Sequence, residues 1–119
     1  MRSSFMLIPD VVRLRHMHEA VVIALKMSAG RSRLSLDSDP MLAMALTRSL
    51  EILGEAASKL SAEARLQFPT IPCAQMVSMR NRLIHAYFDV DLDIVWTTVS
   101  EELPRLLPIF EFALDQVDS

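Results

Sequence analysis

The segment Ser78-Met-Arg-Asn-Arg-Leu-Ile-His-Ala-Tyr-Phe88 places two Arg, an Asn, a His and a Tyr within the eight residues from Arg80 to Tyr87. An imidazole moves protons near neutral pH. A guanidinium stabilises negative charge on a phosphoryl oxygen. RNA carries its own nucleophile, the 2′-hydroxyl, so its cleavage without a metal needs only a base, an acid and a cation. One chain supplies one such His, and a symmetric pair would supply two His and two Arg around one cleft. On a helix of about 100° per residue, with Arg80 at zero, Ile84 falls at about 40°, Asn81 at about 100°, His85 at about 140° and Tyr87 at about −20°. Met76, Met79 and Leu83 fall between about −40° and −100°. That apolar stripe would hold the helix in a core, with Arg80, Asn81, His85 and Tyr87 on the adjoining arc. By spacing alone the plainer reading is a helix end with a capping His and solvated Arg.

Other chemistries find less support. There is no glycine-rich phosphate loop, no His-Glu-x-x-His pair and no serine nucleophile elbow. His16 and His18 are two residues apart, so on a helix they do not face each other. With no Cys or carboxylate cluster beside them, no metal site is expected. Asp89-x-Asp91-x-Asp93 lacks the Gly and the distal Glu of a calcium loop; it reads as a loop followed by acids suited to a helix N-terminus. The single Cys, Cys73, excludes an intrachain disulfide and a Cys-based zinc site. No cofactor is implied.

The elements that must position these groups are helical. The 119 residues fit one domain, 1–119, and are 51% hydrophobic, which excludes a disordered chain. Asp10 is placed as the N-cap of a helix from Val11 to Ala29, closed by Gly30, with Leu14, Met17, Val21, Leu25 and Ser28 on one face. Arg31–Asp39 reads as a loop. Asp39-Pro40 opens a second helix with the stripe Leu42, Leu46, Ser49, Leu53, Ala57 and Leu60. A short helix follows Ser61 and ends near Phe68-Pro69. Another opens at Thr70-Ile71-Pro72 and carries the Arg80 segment. The last, from Leu92 to Val117, has the seam Trp96, Val99, Leu103, Leu106, Phe110, Ala113 and Val117. Pro104 and Pro108 lie off that seam and are expected to bend or split the helix without spoiling its packed face. The fold expected is all-α, a bundle of four or five helices. The eight Met read chiefly as flexible core filler. The two long seams suggest surplus apolar surface and a homodimer.

The net charge of −3 and pI of about 5.5 exclude a strongly basic nucleic-acid wrapper, but not a local cationic site. Ten Arg against two Lys favour planar, phosphate-matching donors. No segment has the roughly 18 uninterrupted apolar residues of a membrane span, so no membrane partner and a cytoplasmic location are expected.

The motif Arg80-Asn-Arg-Leu-Ile-His85-Ala-Tyr87 resembles the Arg-x4-His-x-Tyr motif of HepT-like toxins in the HEPN superfamily. Arg13-Leu-Arg-His-Met17, Gly30-Arg-Ser, Leu50-Glu-Ile-Leu-Gly-Glu-Ala56 and Phe88-Asp-Val-Asp-Leu92 extend the likeness over nearly the whole chain. The resemblance implies a HEPN-type helical homodimer, metal-independent endoribonuclease activity on an RNA substrate, and a toxin role beside an MntA-like nucleotidyltransferase antitoxin. It implies that Arg80 and His85 are catalytic, that Asn81 supports them, and that Tyr87 is the residue modified with AMP. Ala86, where relatives often have Gly, and Cys73, where an aromatic is expected, are departures. The alternative is a non-catalytic helical module that docks to a nucleotidyltransferase.

Overall fold

The computed structural model describes residues 7–84 and 90–118. Among them the secondary structure is helical throughout: α1 (Ile8–Ser28), α2 (Arg33–Ser38), α3 (Pro40–Ser58), α4 (Ala62–Gln67), α5 (Cys73–Ile84), α6 (Leu92–Thr97) and α7 (Leu103–Asp118), with a π-turn at Thr98–Glu102 joining the last two. The chain is an all-α bundle. α3 is its central element, packed between α1 and α5, and α7 lies on the far side of α1.

The α3 stripe is buried along its length, from Leu42 at 7% exposure through Leu46 and Ala57 at 0% to Leu60 at 5%. Its start follows the sequence reading: Asp39 accepts a hydrogen bond from the Leu42 N–H at 3.1 Å, and Pro40 occupies the first turn. Ser61 likewise caps α4 by accepting from the Ala64 N–H, and Asp91 caps α6 by accepting from the N–H groups of Asp93 and Ile94.

Two local expectations are corrected. Asp10 is not the cap of α1. The helix begins at Ile8 with Pro9 in its first turn, so Asp10 is already helical. Its buried carboxylate instead accepts from the Ser61 N–H at 2.9 Å and the Ser61 hydroxyl at 2.6 Å, tying the start of α1 to the start of α4. Arg31–Asp39 is not all loop. Ser32 and Ser35 form a reciprocal capping box, Leu36 drops into the core, and the six residues of α2 result. Arg33 on α2 then donates from Nε to Asp93 on α6 at 2.6 Å.

The final seam is buried at Val99, Leu103, Leu106, Phe110 and Ala113. Pro104 lacks the N–H that would bond the carbonyl four residues back, and its ring crowds that carbonyl. The turn before it widens, and the Leu103 N–H reaches back to the Thr98 carbonyl. Pro108 sits within α7. Both prolines are exposed, so the packed face is kept. Gly30, at φ +73°, turns the chain out of α1 in a region that L-residues rarely adopt.

Candidate active site

Arg80 and Asn81 are carried by the last turns of α5, whose Met76 and Leu83 are buried in the core. Their directions differ. Arg80 turns toward α3, where Nη1 donates to Glu55 Oε2 at 2.8 Å. Its side chain is only 19% exposed, and Nε is buried with no hydrogen-bond partner among the described residues. The close crossing of the helices makes this possible. A Cβ at Gly54 would collide with the Arg80 Cβ and lie 2.7 Å from the Met76 carbonyl oxygen, so only glycine lets α5 lie this near α3. The other oxygen of Glu55 is 3.5 Å from Lys59 Nζ, which places the carboxylate between two cations.

Asn81 is exposed on the neighbouring side of α5. It lines an open depression of about 740 Å³ with Ser58, Arg65, Ser78 and Arg82. Arg80 is not among the residues lining that depression. Arg65 donates to the Ala57 carbonyl at 2.8 Å, and its Nε is buried with no partner among the described residues. The arc expected from helical spacing is therefore divided: Arg80 is clamped to α3, and Asn81 faces the α4 side. His85 and Tyr87 lie outside the described residues.

Glu55 is the partner of Arg80 that sequence reasoning passed over. It stands 25 positions from Arg80, and only the Gly54 crossing joins them. The signal available was the segment Leu50–Ala56, where Gly-Glu ends a run of helix-spaced apolar residues. Cys73 sits at the start of α5, where burial pushes its thiol above the ordinary value of 9.0, partly offset by Arg65 and a backbone hydrogen bond. It is therefore a protonated packing group at neutral pH. His18 lies 3.8 Å from Glu111, whereas His16 lines a groove between α1 and α3. Among the described residues, no three His, Cys, Asp or Glu side chains converge as a metal cage, and no helix is long and apolar enough to cross a membrane.

The family described as Ribonuclease HepT-like matches residues 17–112. The chain belongs to that family. The "Probable ribonuclease HepT" of Thermococcus cleftensis is 45% identical over 67 residues, 56% of this chain and 61% of that protein. A protein of Caldanaerobacter subterraneus named "Putative RNase" is 44% identical over 68 residues, 57% of this chain and 61% of its own length. The chain thus spans about three fifths of the length of the curated relatives it matches. No solved structure matches it.

Proposed function

We propose that this HepT-like chain is a metal-independent endoribonuclease, the toxin of a toxin–antitoxin pair. The observation that carries the reading is the Arg80 side chain, which Glu55 holds against α3 at the end of α5, in a chain of the Ribonuclease HepT-like family. A guanidinium fixed before substrate arrives needs no reorganisation when phosphorane charge develops.

In this reading a ribose 2′-oxygen attacks the adjacent phosphorus while one imidazole takes its proton. The bond from phosphorus to the 5′-oxygen breaks, and that oxygen is protonated by an imidazolium. The products are a 2′,3′-cyclic phosphate and a 5′-hydroxyl. His85 of each subunit of a homodimer supplies these roles, Arg80 stabilises the phosphorane, and Asn81 helps to position the phosphate. The test is purified wild type against His85→Ala on total tRNA and mRNA with chelator present. Cyclic-phosphate ends from wild type alone are expected. Equal cleavage by both proteins overturns the role of His85, and no cleavage by either favours the docking module.

The antitoxin in this reading is a nucleotidyltransferase that transfers AMP to the Tyr87 hydroxyl, with pyrophosphate leaving ATP. The added phosphate would compete for Arg80 and repel RNA. Tyr87 is not required for cleavage, since a phenol of pKa about 10 is a poor base at pH 7. Tyr87→Phe is expected to stay toxic and to escape modification. Intact-mass analysis after incubation with a cognate nucleotidyltransferase, ATP and magnesium checks this. AMP-sized increments of the same size on the variant would place the modified residue elsewhere.

A further inference from the structure

Beside the Arg80–Glu55 pair, α1 and α3 enclose a narrow groove of about 150 Å³ whose walls carry Arg13, His16, Arg48 and Lys59, with Ile52 and Glu55 between them. We propose that this groove binds the phosphodiester backbone of an RNA strand leading away from the scissile phosphate. The proposal rests on the ribonuclease reading and extends it to how substrate is held.

Four observations carry it. The lining residues follow from helical spacing: Arg48, Ile52, Glu55 and Lys59 step by 4, 3 and 4 along α3 and its C-cap, and Arg13 and His16 by 3 along α1. The eleven helical steps from Arg48 to Lys59, at the C-cap of α3, cover about 16 Å, the length of several stacked nucleotides. Second, the Arg13 Nε is buried yet has no hydrogen-bond partner among the described residues, a donor left without an acceptor in a concave site. Arg48 is only loosely engaged, 3.9 Å from Glu51, with its side chain 70% exposed. Third, the acid in the groove is already occupied. Glu55 is shared between Lys59 at 3.5 Å and Arg80 at 2.8 Å, so it forms the common wall of the groove and the Arg80 site. Arg13, Arg48, Lys59 and Arg80 set four cations against the carboxylates of Glu51 and Glu55. That local excess stands in a chain of net charge −3, so it does not follow from composition. Fourth, Ile52, 38% exposed, gives the groove an apolar floor on which a ribose or base can rest.

The test uses the full chain and a fluorescent 2′-O-methyl RNA oligonucleotide, which lacks the attacking hydroxyl and so reports binding without cleavage. Anisotropy gives Kd across a range of salt concentrations. Arg48→Ala and Arg13→Lys are compared with wild type and with Arg105→Ala, a surface cation on α7. Arg48→Ala is expected to weaken binding several-fold and to flatten the dependence of log Kd on log salt by about 0.7, one single-strand phosphate contact. Arg13→Lys keeps the charge and loses the fork, so it should weaken binding with little change of slope. Arg105→Ala should bind as wild type does. Circular dichroism melts confirm that each variant is folded. Equal affinity for all four proteins, with unmodified RNA still cleaved by wild type, overturns the groove and leaves the ribonuclease reading standing. Binding that is lost in the variants, with no cleavage by wild type, supports the groove and overturns that reading. No binding and no cleavage by wild type overturn both. Polyglutamate that binds as tightly as RNA, and depends on the same residues, reassigns the groove to an acidic protein surface.

Discussion

At the scale of single residues, the Arg80–Glu55 pair separates position from stability. Glu55 is half exposed, so the ion pair itself contributes under about 1 kcal/mol. The Arg80 stem contributes more, because it packs against the glycine face of α3. Its helical angle beside the apolar stripe suggests a nearly free side chain, whereas the helix crossing buries four fifths of it. Arg80→Ala is expected to abolish cleavage and growth arrest at a cost of about 1–2 kcal/mol in urea denaturation. Arg80→Lys should recover most of that stability and little of the activity, because an ammonium can still meet Glu55 through one hydrogen bond but lacks the fork that a phosphate engages. Full activity in Arg80→Lys would show that only charge matters. Cys73 makes a second case. Its thiol is raised chiefly by burial, so the folded state holds its proton more tightly than the unfolded chain. The associated stability is present below the ordinary thiol pKa of 9.0 and is lost as pH rises above that value through the folded pKa. Native Cys73 should therefore react slowly with iodoacetamide at pH 7.5, and Cys73→Ala should soften the decline of Tm between pH 8 and 10. Rapid alkylation of the folded protein would contradict the burial argument.

At the scale of elements, the contact that positions Arg80 is the crossing of α3 and α5 at Gly54. A methyl group there meets the Met76 carbonyl at 2.7 Å, and backbone cannot swing aside as a side-chain tip can. Gly54→Ala should cost about 2–3 kcal/mol despite its better helix propensity, and should displace Arg80 from Glu55. Chemical denaturation and the cleavage assay read the two effects; wild-type values in both would mean that α5 can slide without consequence. This crossing also marks the limit of what the sequence discloses. The period of α3 and the seam from Val99 to Ala113 were legible because each buries one face against neighbours, and burial writes itself into every third or fourth residue. Asp39 and Ser61 were legible as caps because capping acts within three residues, whereas Asp91 was legible only as an acid suited to a helix N-terminus. Asp10 binding Ser61 across 51 positions and Glu55 binding Arg80 across 25 leave no such local period. Short α2 escaped notice for a related reason: its capping box uses Ser35 rather than Glu or Gln, and a single buried residue, Leu36, anchors it.

At the scale of the whole molecule, the surplus apolar seam that suggested a homodimer is used up within one subunit. The α3 stripe and the α7 face are the core of the bundle itself. Methionine shows the same division: Met17 and Met76 are buried as core filler, whereas Met41 and Met44 stand 81% and 73% exposed on α3. The case for a second copy therefore rests on shape and chemistry. The chain measures 51 × 29 × 18 Å, less than two helix diameters along its short axis. So flat a body leaves large side chains such as Leu34, Leu66 and Phe112 at its surface, at 73%, 80% and 61% exposure. General acid–base cleavage calls for two proton-transfer groups, and the motif supplies one His per chain. Both demands are met if two copies pair about a two-fold axis and each contributes Arg80 and His85 to a common cleft. Light scattering at micromolar concentration should then return about twice 13.4 kDa. A composite site of this kind predicts that specific activity falls on dilution in step with dissociation rather than staying constant. A monomer that cleaves at the full rate would break the link between assembly and catalysis, and would require both proton transfers from groups of a single chain.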